Sequence, residues 1–241
     1  MVTPIEIPAA DGTIPCLMVL PSVLPAPALL VMATLNGPDE ELKAILLDYA
    51  QLGVITVAPD QFWRVFPGPM PHATPEDRER ARDRWRRNDF ERGIDDLRVV
   101  IDAVRAMPEC TGEYGITGYC YGGRYAFIAA ARFGARVAVS FHGSFIGQSL
   151  ADAPAITCPI SLHYGDSDEH VPASEIASIR EALAGNPAAE VIVYPGAGHG
   201  FTSPTKGHYD PVASEKSRAR ARELIARTLQ APRSLPLYSQ R

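Results

Sequence analysis

Hydrophobic runs and amphipathic stretches alternate along this chain. Short runs of β-branched and apolar residues, bounded by Gly, Pro and Asp, are separated by longer stretches with apolar residues at three- and four-residue spacing. This alternation is typical of βα units around a mostly parallel central sheet, with helices on both faces. Strands are predicted at 5–8, 15–20, 28–33, 54–58, 114–117, 137–141, 160–164 and 191–194, and helices at 39–52, 75–87, 89–107, 122–133, 173–183 and 210–229.

Local signals support several of these elements. The first two strands flank the dipeptide DG at 11–12, which favours a hairpin turn. The run at 28–33 is apolar without interruption, as in a central strand that is buried on both faces. The dipeptide TP at 74–75 predicts a helix start, because it supplies an N-cap and a proline at the first helical position. The loop at 61–73 that precedes it lies where α/β enzymes place ligand-binding segments.

Composition narrows the class of protein. With 241 residues, 46% of them hydrophobic and 21% charged, the chain suits one globular α/β domain over 1–241 with a loosely docked tail at 232–241. A net charge of −5 and a pI near 5.7 argue against nucleic acid as a partner. The sequence shows no signal-peptide pattern and no apolar stretch of ~18 residues, so we expect a cytoplasmic protein with no membrane partner.

Four cysteines are scattered along the chain, at Cys16, Cys110, Cys120 and Cys158. They lack the CxxC and Cys/His spacings that hold zinc, so we expect neither a metal site nor a disulfide framework. Cys120 differs from the others because glycines surround it. The other three are expected to be core or surface thiols.

A nucleophile-elbow pattern surrounds Cys120. The sequence GYCYGG at 118–123 lies between a predicted strand and a predicted helix, with Cys where this pattern usually has Ser. In such a sharp turn the residues two positions before and after the nucleophile must lack Cβ atoms, which explains Gly118 and Gly122. The N-terminus of the following helix favours a thiolate at Cys120. The alternative interpretation is a buried, unreactive cysteine among packing glycines.

Two later loops supply a carboxylate and a histidine, in the chain order of hydrolases with this elbow. The loop YGDSDEHVP follows one predicted strand, and GAGHGF follows the last one. Because ligands bind at the carboxyl ends of the strands in open α/β sheets, His199 can meet Cys120 at this edge. By spacing alone either Asp166 or Asp168 can orient His199, while the other caps the next helix.

Three stretches of the sequence resemble the motifs of the dienelactone hydrolase family, in the α/β-hydrolase superfamily. They are YCYGG at 119–123, DEHVP at 168–172 and AGHGF at 197–201. The likeness extends from the first hairpin to about Leu229. The resemblance implies an α/β-hydrolase fold and a carboxymethylenebutenolidase-like enzyme that opens an ester or a lactone.

The resemblance also implies roles for individual residues. Cys120 is expected to be the nucleophile, His199 its base, and Asp168 the carboxylate that orients His199. The backbone N–H groups of Tyr121 and Asn36 are expected to form the oxyanion hole. No metal or organic cofactor is required, and the expected partner is a small ester or lactone, bound by a monomer or a homodimer.

The chain departs from the family at the substrate site. Leu35 stands where the lactone hydrolases have a Glu that contacts the resting thiol, and Ser203 stands where they have the second of two carboxylate-binding arginines. Arg78 matches the first arginine, and Arg82 replaces an aromatic residue one turn beyond it and can stand in for the missing guanidinium. We therefore expect weak turnover of dienelactone and better turnover of neutral short-chain esters, held by the aromatic loop that contains Phe66.

Further expectations concern the surroundings of these motifs. Without a Glu at position 35 to compete for the thiol, we expect a thiolate–imidazolium pair in the free enzyme. Apart from Arg78, the arginine-rich helix at 78–87 is expected to present a solvated face. His142 is expected to border the cleft. The other histidines outside the motif are expected to lie on the surface or in the core, at His72, His163, His170 and His208.

Two other classes of function remain open from the residues alone. The first is a redox-sensing thiol protein, which would have a resolving cysteine beside Cys120. The second is a binding protein that keeps the fold and the cleft. Neither of these would show a burst of acylation, whereas a cysteine hydrolase does.

Overall fold

Eight strands form one sheet, as the alternation of the sequence predicts. A computed structural model of the protein describes residues 1–205 and 207–230. The strands are β1 Thr3–Ala9, β2 Gly12–Val19, β3 Ala26–Met32, β4 Ile55–Pro59, β5 Cys110–Tyr119, β6 Ala138–Phe141, β7 Ile160–Gly165 and β8 Ala189–Tyr194. Their order is β1-β2-β4-β3-β5-β6-β7-β8. The strand β2 pairs antiparallel with β1 and β4, and all later pairs are parallel.

The sheet separates two hydrophobic cores, and helices cover both of its faces. The α-helices are α1 Glu40–Ala50, α2 Pro75–Arg87, α3 Phe90–Arg105, α4 Tyr121–Arg132, α5 Ala173–Leu183 and α6 Pro211–Gln230. Buried apolar residues of α3, α4 and α5 belong to one core, and those of α1 and of α6 from Ala221 onward belong to the other. Ala213 of α6 packs in a small third cluster with Tyr194, Ala197 and Phe201. Over the described residues, no helix is both long and apolar enough to cross a membrane.

The central strand β3 shows why an uninterrupted apolar run predicts this arrangement. Leu30 belongs to the core under α3 and α4, whereas its neighbours Leu29 and Val31 belong to the core under α1 and α6. All three are fully buried. Because successive side chains of a strand point to opposite faces, a strand that is covered on both sides needs apolar residues at every position.

The observed elements differ from the predicted ones mainly at their ends. The hairpin and the helix capped by Thr74 are present, and Thr74 makes a capping box with Asp77. The strand β5 continues to Tyr119, directly before the elbow, and a 3₁₀ helix at Ile146–Ala155 was not predicted. A short 3₁₀ segment lacks the long 3.6-residue periodicity by which helices are recognised in a sequence. The predicted tail at 232–241 lies outside the described residues.

Candidate active site

Cys120 occupies a strained turn between β5 and α4. Its backbone has φ 53° and ψ −117°, a conformation that residues other than glycine rarely adopt. A Cβ atom on Gly118 would overlap the backbone of Gly122, and one on Gly122 would overlap the end of β3. The two glycines therefore allow the sharp turn and bring it against the central strand. The thiol is half-buried, which leaves it open to a small reagent.

His199 lies between Cys120 and Asp168. Its Nε2 is 3.1 Å from Cys120 Sγ, and its Nδ1 is 2.8 Å from Asp168 Oδ2. The other oxygen of Asp168 accepts hydrogen bonds from the backbone N–H groups of His170 and Val171, which hold the carboxylate in place. The structure thus brings the three expected residues together at the carboxyl edge of the sheet.

Asp166, the alternative that spacing alone leaves open, has a different task. Its Oδ1 accepts a hydrogen bond of 2.7 Å from the backbone N–H of Gly196, at the start of the loop that carries His199. Neither carboxylate caps α5, because that helix begins after Pro172 with no side-chain cap. Asp166 therefore joins the two loops, while Asp168 contacts the imidazole.

The surroundings of His199 favour its protonated form. Burial by itself lowers the pKa of His199, but the negative charge of Cys120 and the hydrogen bonds with Asp168 and Cys120 raise it to about 9. A pKa above neutrality favours the imidazolium form of this ring when the neighbouring sulfur is a thiolate.

Two further histidines contact the ring of His199. His142 is buried, and its ring centroid lies 4.9 Å from that of His199 in an edge-on arrangement. His170 packs edge-on from another direction at 4.6 Å. The expectation that His142 borders the site is confirmed. His170 is exposed, as expected for a surface histidine, and it also contacts the ring of His199. The pKa of His170 is lowered by partial burial and by the positive charges of His199 and Arg82.

The segment after β6 wraps the nucleophile. The backbone N–H of Ser144 donates to Cys120 O at 3.0 Å, and Ser144 Oγ lies 3.7 Å from Cys120 Sγ. His142 and Phe145 both have positive φ, at 40° and 64°. Bulky residues in this region cost free energy, so the surrounding contacts must hold them there. The segment thereby places the Ser144 hydroxyl at the sulfur of Cys120 and the Phe145 ring against Trp85.

The two expected oxyanion donors differ in their hydrogen bonds. Tyr121 is the first residue of α4, so its backbone N–H has no acceptor within the helix. The backbone N–H of Asn36, in contrast, donates to Thr34 Oγ1 at 3.2 Å. The amide side chain of Asn36 donates to Met70 O at 3.1 Å, which ties this loop to the segment after β4. A ligand oxygen must displace the Thr34 hydroxyl to use the Asn36 N–H.

The structure does not place the expected substrate-binding side chains in one pocket. Arg78 is exposed and donates to the carbonyls of His72 and Ala73. Arg82 is exposed and pairs with Glu79 at 3.2 Å. Its link to the site is electrostatic, because its positive charge contributes to the lowered pKa of His170. Each arginine therefore has a local role that the sequence comparison could not show.

The aromatic loop does not form the expected grip either. Phe66 is 39% exposed, with the guanidinium of Arg87 over its ring at 5.5 Å, and Phe62 is fully buried. Trp63 donates its ring N–H to Asp96, away from the thiol. Leu35 is half-buried against the core under α3 and α4.

Arg84 contradicts the expectation of a solvated arginine face. Its side chain is fully buried, 3.3 Å from the carboxylate of Asp60, and it donates to Gly68 O at 2.8 Å. Its guanidinium also lies over the ring of Phe62 at 4.2 Å and against Gly37. Ala81, one turn before Arg84, is the other buried residue of α2, and this apolar position three residues earlier is the signal that could have placed Arg84 on the inner side of the helix.

Two cavities are lined by residues that neighbour the catalytic ones, and we call them the narrow cavity and the aromatic cleft. The narrow cavity holds about 20 Å³, enough for one water molecule. Its walls include two acids, Asp39 and Glu41, together with His142, Ser203, Thr34, Gly37, Leu42, Ile45, Tyr119 and Thr202. The aromatic cleft holds about 350 Å³ and is lined by Trp85, Arg86, Asn88, Phe90, Tyr121, Arg124, Phe145 and Gln148.

Ser203, in the wall of the narrow cavity, is paired with an acid. Its hydroxyl donates to Glu41 Oε2 at 2.6 Å. An acid therefore lies where the resemblance implies an arginine for the substrate.

Over the described residues, no group of three or more His, Cys, Asp or Glu side chains is placed to hold a metal ion.

The sheet and the positions of these loops define the α/β-hydrolase fold. The elbow follows the central strand β5, and the loops with Asp168 and His199 follow β7 and β8. The chain belongs to the dienelactone hydrolase family, because the model of that family matches residues 14–229.

Individual relatives agree with this assignment. A carboxymethylenebutenolidase of Pseudomonas putida is 32% identical over 224 residues, which cover 91% of this chain and 93% of the relative. Carboxymethylenebutenolidase 1 of Cupriavidus pinatubonensis is 30% identical and covers 86% of this chain and 88% of its own. A Klebsiella pneumoniae protein described as a candidate dienelactone hydrolase has a similar structure. Its TM-score is 0.82 at 23% identity, over 94% of this chain and 98% of that one.

Proposed function

We propose that this protein hydrolyses carboxylic esters and lactones by acyl transfer through Cys120. The observation that carries the proposal is the chain of contacts from Cys120 Sγ to His199 Nε2 at 3.1 Å and from His199 Nδ1 to Asp168 at 2.8 Å. A nucleophile, a base and a residue that orients the base are the parts that covalent catalysis of acyl transfer needs. The carboxymethylenebutenolidases among its relatives support the same class of substrate.

Acylation begins with the sulfur of Cys120 as a thiolate. The sulfur attacks the carbonyl carbon, and the carbonyl electron pair moves onto oxygen, where the Tyr121 N–H stabilises the negative charge. The Asn36 N–H joins it once the oxyanion displaces the Thr34 hydroxyl. The C–O bond to the alcohol then breaks, and the protonated His199 gives its proton to the departing oxygen. In a lactone both fragments stay joined, so ring opening gives one acyl chain on sulfur.

Deacylation uses the same residues in the reverse order. His199, now neutral, takes a proton from a water molecule, whose oxygen attacks the thioester carbon. The C–S bond breaks, the acid leaves, and the proton stays on His199, which restores the ion pair with Cys120. Asp168 holds the ring in the orientation for both steps and stabilises its positive charge.

The free enzyme is proposed to hold the thiolate–imidazolium pair before substrate arrives. The raised pKa of His199 favours this state. Leu35 packs against the core and brings no carboxylate to the thiol, which supports the same conclusion.

The test removes the sulfur of Cys120 and compares the activity of this variant with that of a variant lacking another half-buried thiol. In Cys120→Ala, kcat/KM for phenyl acetate and for a neutral lactone should fall by about 10⁴-fold or more, because members of such a triad act as a unit. Cys158→Ala is the matched control, since Cys158 is a half-buried free thiol outside the site. Its activity should stay within about twofold of the unchanged protein.

Two measurements on Cys120, acylation by an ester and alkylation by iodoacetamide, separate the hydrolase from its alternatives. A burst of one acyl group per chain at Cys120, lost in Cys120→Ala, supports a hydrolase. Rapid alkylation without any acylation by esters or lactones favours a thiol sensor. Retained hydrolysis in Cys120→Ala overturns the mechanism.

A further inference from the structure

We propose that the aromatic cleft binds a planar aromatic carboxylate, with Arg124 as the residue that holds its carboxylate group. As a subsite for the substrate this rests on the proposed hydrolase function, whereas binding itself does not. The cleft lies between the end of α2, the starts of α3 and α4, and the segment after β6.

The walls of the cleft are flat aromatic rings held in fixed positions. Trp85 and Phe145 are stacked, with ring centroids 5.2 Å apart and an interplanar angle of 11°. Phe145 also meets Tyr121 edge-on at 6.4 Å, and Phe90 meets Tyr121 edge-on at 5.9 Å. Planar ligands gain the most from such surfaces, because offset stacking and edge contacts add to the burial of apolar area.

The charge of the cleft is positive. Its lining contains Arg86 and Arg124 and no Asp or Glu, although the chain as a whole carries a net charge of −5. Arg86 pairs with Glu79 at 2.7 Å, whereas Arg124 makes no ion pair among the described residues, so Arg124 is the main source of this charge. A cation in a partly enclosed, apolar setting attracts an anion more strongly than one in open solvent. The ligand is therefore expected to carry a negative group.

Arg124 is held in place with donors to spare. Its Nε donates to Ser149 Oγ at 2.9 Å, its Nη1 donates to Gln148 Oε1 at 3.1 Å, and its guanidinium lies 3.8 Å from the ring centroid of Phe90. Within the described part of the chain, its Nη2 makes no hydrogen bond. A fixed guanidinium with an unused N–H edge suits a carboxylate, which accepts charge-assisted hydrogen bonds in the same plane.

Two residues of the cleft wall are chain neighbours of residues at the nucleophile. Tyr121 follows Cys120 in the chain, and Phe145 follows Ser144, whose Oγ is 3.7 Å from Cys120 Sγ. The positive φ of Phe145, 64°, directs its ring against Trp85. In this proposal the cleft holds the non-reacting part of the substrate, and the carbonyl that reacts lies at the sulfur. The volume of about 350 Å³ is within the range of small-molecule sites.

The first experiment measures binding of benzoate to the full chain by titration calorimetry, with benzamide and acetate as neutral and non-aromatic comparisons. Benzoate should bind with saturation at a dissociation constant of about 1 mM, and both comparison compounds should bind at least about tenfold more weakly. In Arg124→Gln the affinity for benzoate should fall at least about tenfold, the loss of one charge-assisted contact. Equal affinity in this variant, or no saturation up to about 50 mM, overturns the proposal.

Two further variants control this experiment. Arg132→Gln lies on the same helix, and its guanidinium pairs with Asp152 away from the cleft, so benzoate affinity should not change. Because Arg124→Gln removes contacts to Gln148 and Ser149 and can fail to fold, Arg86→Gln gives an independent measure. Arg86 is exposed at the rim, and its loss should weaken benzoate about threefold at low salt. If Arg86→Gln binds benzoate unchanged while Arg124→Gln is unfolded, the proposal fails.

The second experiment asks whether the ligand lies beside Cys120, independently of hydrolysis. Saturating benzoate should slow alkylation of Cys120 by iodoacetamide at least about fivefold in the unchanged protein and in Arg132→Gln. Binding without protection shows a separate site and overturns the assignment as a substrate subsite. If benzoate binds through Arg124 and protects Cys120 but no ester is hydrolysed, the proposed function fails and the binding site stands.

Discussion

The two cavities beside Cys120 and His199 differ in both size and charge. The narrow cavity admits one water and has Asp39 and Glu41 in its wall, while the aromatic cleft is more than ten times larger and has two arginines and no acid. His142, in the wall of the narrow cavity, packs edge-on against His199, and Phe145, in the wall of the cleft, follows Ser144 at the sulfur of Cys120. Arginines line only the cleft, so we expect an anionic group to be selected there.

This difference shows that a missing side chain in an alignment does not by itself remove a binding property. The sequence predicts a loss of carboxylate recognition from Ser203, and the hydrogen bond from Ser203 to Glu41 agrees with that loss on the narrow side. A cation from another element, Arg124 on α4, lines the aromatic cleft. Charge recognition depends on where a guanidinium is in space, and several backbone positions can supply it.

The largest effect is expected from the removal of Arg84, which contacts residues of both cavities or their supports. Arg84 lies against Gly37 in the wall of the narrow cavity and over Phe62, whose ring stacks on Tyr121 in the cleft. Arg84→Met should lower the free energy of unfolding by about 3–5 kcal/mol, because it leaves the buried carboxylate of Asp60 without its ion pair. Urea unfolding followed by circular dichroism measures this change.

The matched control is another arginine of the same helix. Arg86 is exposed and pairs with Glu79 on the surface, so Arg86→Met should cost less than about 1 kcal/mol. Replacing the whole pair, in Arg84→Met with Asp60→Leu, should restore part of the loss. Equal stability of the two single variants would show that Arg84 does not join the two sides.

A smaller effect, on the pH dependence of kcat/KM, is expected from the titration of His199. It should be the same for substrates of either charge. Since its pKa is raised to about 9, the proton that the leaving group needs is present below this pH and lost above it. We expect kcat/KM to fall about tenfold per pH unit above pH 9, with the same midpoint for phenyl acetate and 4-carboxyphenyl acetate. The stabilisation that protonated His199 gives the folded state is complete below about pH 6.5 and is lost as the pH rises through 9.

Stopped-flow rates for the two esters across pH 6–10.5 measure this limb. The two substrates differ in charge, but arginine does not titrate in this range, so the cleft contributes no pH dependence of its own. A midpoint that shifts by more than about one unit between the esters would mean that the two sides are not independent of each other.

The smallest effect is expected from the acid on the narrow side. Glu41→Gln removes a negative charge from the wall of the narrow cavity, which shares no lining residue with the aromatic cleft, so benzoate affinity should rise by no more than about twofold at low salt. Glu40→Gln is the control, because Glu40 is exposed beside it and pairs only with Lys43 among the described residues. Calorimetry with benzoate makes the measurement. A tenfold gain in Glu41→Gln would show that the two cavities form one electrostatic site.

The sequence by itself determines the βα order, the elbow and the chain order of the reacting groups. These are local properties: apolar runs define strands, and the glycines around Cys120 are required by a turn of a few residues. The doubly covered β3 and the capped helix α2 follow from such patterns without knowledge of distant contacts. The location of His199 at the same sheet edge also follows, because parallel strands share one carboxyl end.

Only the tertiary structure decides between groups that local patterns make equivalent. Asp166 and Asp168 are two residues apart, and the packing of the His199 loop determines which of them reaches the ring. Arg84 and Arg86 are both arginines of one helix, yet one is buried under the 61–73 loop and the other faces solvent. The aromatic cleft collects side chains from helices and a loop far apart in sequence. Charge, burial and volume at such points depend on contacts between distant segments, and no periodicity within one segment encodes them.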